Sequence, residues 1–92
     1  MLKIVDNKVY HDNQKIGWLE GSYVRGADGN KIGHVEGQYV YNQAEHKIAY
    51  IHENQLIFEN GNHSIPLEKI NEEVVGTEPL IMKCAVYVLF EE

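Results

Sequence analysis

The chain has 92 residues, 43% of them hydrophobic and 24% charged, with a formal net charge of −6. These values describe one small globular domain and exclude extended disorder, while the negative balance works against a phosphate backbone as partner. The single cysteine, Cys84, excludes an intrachain disulfide and, inside an apolar run, reads as a buried, inert thiol. Acidity is concentrated late: residues 1–62 carry six basic and eight acidic side chains, residues 63–92 two basic and six acidic ones. The opening MLKIVDNK lacks the apolar stretch of a leader, and the apolar run at 80–90 falls short of the ~20 residues a bilayer requires, so a cytoplasmic protein without membrane contact is expected.

The segment KIVDNKVYHDNQ reads as a shortened first copy of a phrase that returns as KIGWLEGSYV at 15–24, as KIGHVEGQYV at 31–40 and, more loosely, as KIAYIHENQLI from residue 47. Lys15, Lys31, Lys47 and His63 stand sixteen residues apart, and Ile16, Ile32 and Ile48, then Gly17, Gly33 and Ala49, follow the lysines. A period of sixteen holds two strands of about five residues and two tight turns, so each copy is a hairpin. Turns are predicted near Asp6-Asn7, Gly21-Ser22, Gly37-Gln38 and Glu53-Gln55, with return turns near Asp12, Asp28, Ala44 and Asn60. A turn centred on Gly21-Ser22 pairs Glu20 with Tyr23, Leu19 with Val24 and Trp18 with Arg25. The same register pairs Val35 with Val40 and His34 with Tyr41. Alternation then puts the Leu/Val pairs on one face and the aromatic or basic pairs on the other. Gly17, Gly33 and Ala49 share the aliphatic face, where a recurrent small residue predicts close approach by another element.

Beyond residue 62 the pattern changes. HSIPLEKI has proline where an aromatic stands in the earlier copies, and PLEKINEEVV places Leu67, Ile70 and Val74 at helical spacing before Gly76, so 63–76 is a divergent fourth repeat or a short helix. In TEPLIMKCAVYVLFEE the polar interruptions Lys83, Tyr87 and Glu91 are four apart, one narrow stripe on a helix that Thr77 caps and whose first turn accommodates Pro79. A helix apolar on its remaining faces is buried. A buried strand is the competing reading, because Val86, Val88 and Phe90 favour one. The chain is thus read as a single domain over 1–92: hairpin repeats at 1–62, the divergent segment at 63–76 and an apolar C-terminal helix at 77–92, of which residues 79–90 are expected to be buried and required for folding.

The tandem K-I-G-aromatic-V/I-E-G-x-Y-V-Y hairpins followed by an apolar C-terminal helix resemble small bacterial proteins known as 4-fold β-flower proteins, most clearly over residues 15–51. That resemblance implies a mainly β (α+β) fold in which hairpins are petals of a pseudo-fourfold barrel or flower around the helix. It implies no activity and transfers no catalytic residue.

The chemistry-bearing residues are sparse. His11, His34, His46, His52 and His63 have none of the spacings of a metal site and read as surface turn residues, and neither a nucleophile elbow nor a phosphate loop is present. No metal, cofactor or enzymatic activity is expected. The candidate ligand or partner surface is aromatic: Trp18, His34 and Tyr50 at one repeat position, with Arg25, Tyr41 and Phe58 opposite and Lys3 and Tyr10 as first-copy counterparts. The competing structural reading packs these side chains between hairpins, with Arg25 stacked on Trp18. The expected function is a non-catalytic interaction module that self-associates or binds another protein, one variant being an acidic inhibitor or immunity-type protein. The alternative is small-molecule or glycan binding through the aromatic face.

Overall fold

Tight turns dominate the hairpin region because the chain places residues that accept positive φ at every reversal. Asp6-Asn7, Asp12-Asn13 and Glu53-Asn54 have both central residues at positive φ, whereas Gly21-Ser22 and Gly37-Gln38 are positive at glycine alone. Both patterns match the right-handed twist of the strands they join. A computed structural model describes residues 1–61 and 63–91. Its strands are β1 (Leu2–Val5), β2 (Lys8–His11), β3 (Gln14–Glu20), β4 (Tyr23–Gly26), β5 (Lys31–Glu36), β6 (Tyr39–Asn42), β7 (Lys47–His52), β8 (Gln55–Phe58), β9 (Ser64–Pro66) and β10 (Val74–Val75). Helix α1 (Leu67–Glu73) lies between β9 and β10, and α2 (Leu80–Glu91) closes the described chain.

The ten strands form one sheet in the order β10-β1-β2-β3-β4-β5-β6-β7-β8-β9, antiparallel throughout except where β10 lies parallel to β1. The registers deduced from the repeat hold: Trp18 faces Arg25, Leu19 faces Val24, His34 faces Tyr41 and Val35 faces Val40. The sheet is open, with β9 and β10 as its edges, and α1 carries the chain from one edge to the other.

The segment 63–76 combines its two expected forms. Ser64–Pro66 pairs with β8 as a strand, and the helix that follows ends at Glu73 rather than running to Gly76. Val74 leaves helical geometry because it and Val75 pair with Leu2 and Lys3, and β-branched residues favour that extended state.

The apolar C-terminal run is a helix, not a strand. It starts at Leu80, one residue after Pro79, whose carbonyl accepts from the Met82 and Lys83 amides. Thr77 therefore lies outside the helix and is not its cap. Met82, Cys84, Ala85, Val86 and Val88 are buried, and Lys83, Tyr87 and Glu91 form the more exposed stripe. Met82, Val86 and Val88 contribute roughly 1.5–3 kcal/mol each by burial, against the ~5–15 kcal/mol that holds a domain together. The helix is thus a principal source of stability. It sits on the aliphatic face of the sheet, where a Cβ on Gly33 would meet Leu89 Cδ1 at 2.5 Å and one on Gly17 would meet Phe90 Cζ at 2.7 Å. The recurrent small residues are the seat of α2.

Candidate functional site

A feature absent from simple alternation shapes the other face. Val9 pairs with Gly17 but Tyr10 with Lys15, Val24 with Gly33 but Arg25 with Lys31, and Val40 with Ala49 but Tyr41 with Lys47. One extra residue, Ile16, Ile32 or Ile48, therefore sits unpaired in each copy, and such a bulge re-aims the side chains around it. The three isoleucines pack against the core. The lysine before each turns to the outer face and lies over a ring: Lys15 Nζ is 5.1 Å from the centroid of Trp18, Lys31 Nζ 4.9 Å from Tyr23, and Lys47 Nζ 4.4 Å from Tyr39 and 5.8 Å from Tyr50. Strict alternation would have left these lysines beside Gly17, Gly33 and Ala49 under α2, where an ammonium group has no partner.

Carboxylates complete part of this lattice. Lys31 donates to Glu45 at 3.0 Å, Lys47 lies 3.4 Å from Glu59, and Arg25 donates to Glu20 at 2.6 Å and to the Gly29 carbonyl at 2.9 Å. The Lys31 ammonium holds the Glu45 carboxyl below the usual carboxylate range, chiefly through its hydrogen bond.

Most of the residues singled out from the sequence meet on this face. Trp18 is half-buried under Lys15, so Lys15 rather than Arg25 takes its ring. His34 departs from the expectation of a surface turn histidine: it is 5% exposed, stacked on Tyr41 at 4.9 Å with a 7° interplanar angle and flanked by Tyr23. Its Nε2 lies 3.3 Å from Glu36, while Nδ1 is buried without a partner among the described residues. Tyr50 meets Tyr39 across the hairpin boundary, ring centroids 6.1 Å apart.

Phe58 does not belong here. It faces Ala49, is buried in the core and stacks on His63, whereas Ile57 occupies the position opposite Tyr50. A strict step of sixteen from Tyr41 leads to Ile57, so counting alone identifies the correct residue. The pairing of Leu56 with Ile65 and Ile57 with Ser64 runs without a bulge: Ser64 stands where the earlier copies have their unpaired isoleucine, and Ile65 is buried at the position of Gly33 and Ala49. Phe58 has the inward parity of Leu56, at a position held by Gly26 and Asn42 in earlier copies.

Two ring positions escaped the sequence reading. Tyr23 and Tyr39 are 42% and 41% exposed, and both follow the tight turn of their hairpin. Their shared repeat position is the signal that identifies them. Near the other end of the face a cleft of about 330 Å³ is lined by Asp6, Asn7, Lys8, Lys15, Trp18 and Leu19. Among the described residues, no three His, Cys, Asp or Glu side chains are grouped to hold a metal ion, and no helix is long and apolar enough to cross a membrane. Compared with protein-family models, with curated proteins and with solved structures, the chain matches none.

Proposed function

We propose that this protein is a non-catalytic interaction module that binds another protein, or a second copy of itself, through the outer face of the sheet. The observation that carries this reading is the pair Tyr23 and Tyr39, two exposed rings on a rigid strand lattice with lysines already seated on them. Aromatic side chains held in place before binding lose little conformational entropy on association, which is why such residues dominate interfaces. The sheet edges favour the face over strand addition: β10 has two residues, and β9 has three and ends in Pro66, which has no amide to donate. The petal-like, pseudo-fourfold arrangement that the resemblance implies belongs to the same reading, and the sixteen-residue period and the bridging of the two sheet edges by α1 support it.

The test is a Tyr23→Ala/Tyr39→Ala double variant. Both side chains are substantially exposed, so its thermal midpoint should stay close to that of the parent. Sedimentation across a concentration range and co-capture of a partner should show association at least ten-fold weaker. Association equal in variant and parent would refute the role of this face.

A further inference from the structure

The eight cationic side chains are not used alike. Arg25, Lys31, Lys47 and Lys69 pair with Glu20, Glu45, Glu59 and Glu73, and Lys83 donates to Asn71. Lys3, Lys8 and Lys15 make no ion pair among the described residues, and all three lie at one end of the outer face, on the adjacent strands β1, β2 and β3. Neighbouring strands are about 4.8 Å apart, so the backbone positions of the three lysines span roughly 10 Å across the sheet.

The repeat shows why Lys15 is free. Its counterpart Lys31 is neutralised by Glu45, fourteen residues later, and the residue fourteen after Lys15 is Gly29. Both positions have positive φ, +66° at Glu45 and +90° at Gly29, so they are the same backbone site with and without a carboxylate. A Cβ on Gly29 would stand 3.6 Å from Trp18 Cη2, where a longer side chain would cover the ring. Lys8 is the direct cross-strand neighbour of Trp18, and Lys15 lies over it. Asp6 also lines this cleft but pairs with neither lysine.

We propose that Trp18 with Lys8 and Lys15, extended by Lys3, is the docking site for an acidic segment of a protein partner. This rests on the reading of the outer face as an interaction surface and names the chemistry of what binds there. Two or three carboxylates, with an apolar group over the indole between them, satisfy the site. The net charge of −6 turns such a partner away from the rest of the molecule and towards this end. A protein is favoured over nucleic acid because three free cations fall well below the six to ten phosphate contacts that strong backbone binding uses, and Glu20 and Glu36 stand further along the same face.

Trp18 is the only tryptophan, so its fluorescence reports on the site alone. The full chain is titrated at low salt with an octapeptide of alternating glutamate and serine, with its glutamine analogue and with an eight-nucleotide oligothymidylate. Saturable change with the glutamate peptide, none with the glutamine peptide, and at least ten-fold weaker binding in Lys8→Gln/Lys15→Gln is expected. Gly29→Glu, which restores the carboxylate found at Glu45, should close the site in the same way. Equal response to the two peptides, unaltered binding in Lys8→Gln/Lys15→Gln, or tighter binding of the oligonucleotide would overturn the proposal. If the glutamate peptide fails while association still depends on Tyr23 and Tyr39, this docking site falls and the interaction module stands. Failure of both removes both.

Discussion

Glu45 and Glu53 show how single residues record competing demands. Each occupies the left-handed region, at φ +66° and +49°, where a Cβ is unfavourable. Glu45 gains its ion pair with Lys31 there. Its carboxyl titrates below the usual range because of that contact, so the stabilisation is complete at neutral pH and is lost as pH falls through the lowered folded-state value. A carboxyl-detected NMR titration should place Glu45 below the ordinary glutamate range, and Lys31→Gln should raise it towards that range. Glu53 has no comparable gain: it is highly exposed and reaches only His52, also exposed. Glycine occupies its position in the two preceding hairpins. Glu53→Gly should therefore stabilise the fold by about 0.5–1 kcal/mol, the relief of left-handed strain less the extra chain entropy of glycine, seen as a raised melting midpoint.

At the scale of the hairpin, packing against α2 sets the tolerance of each copy. Gly33→Ala brings a methyl group against Leu89 and against the Tyr41 carbonyl, which as backbone cannot move aside cheaply. A loss of roughly 1–3 kcal/mol is expected in denaturant unfolding. Turns and hairpin registers were legible because glycine, asparagine and aspartate mark the reversals and because Leu19, Val24, Val35 and Val40 alternate cleanly. The bulges were not, since nothing local marks an unpaired residue. Only the conflict of Lys15 sharing parity with Gly17 and Leu19 betrays them. Phe58 was misplaced for a different reason, a slip of one residue in the count: it shares the inward parity of Leu56, and the step of sixteen from Tyr41 leads to Ile57. The candidate face was legible in Trp18, Arg25, His34, Tyr41 and Tyr50. Its division into neutralised and free cations depends on ion pairs that reach up to fourteen residues along a copy, as from Lys31 to Glu45, and became visible only in three dimensions.

For the whole molecule, the inner face of the sheet and α2 form one core, with Cys84 fully buried inside it. Burial pushes the Cys84 thiol up to about 12. A thiol reagent at pH 8 should leave native protein unmodified and react promptly once the fold is lost, so the rate of modification reports opening of the core. The parallel pairing of Leu2 with Val74 and Lys3 with Val75 has a kinetic consequence. Every other strand pairs with its neighbour in sequence, a low-contact-order arrangement that forms quickly, whereas this one joins opposite ends of the chain. During synthesis the hairpins can assemble in order as they emerge. Their aliphatic face, with the seats at Gly17 and Gly33, must then wait uncovered until β10 and α2 have left the ribosome. The hazard of aggregation thus belongs to the interval before β10 and α2 appear, not to the folded state.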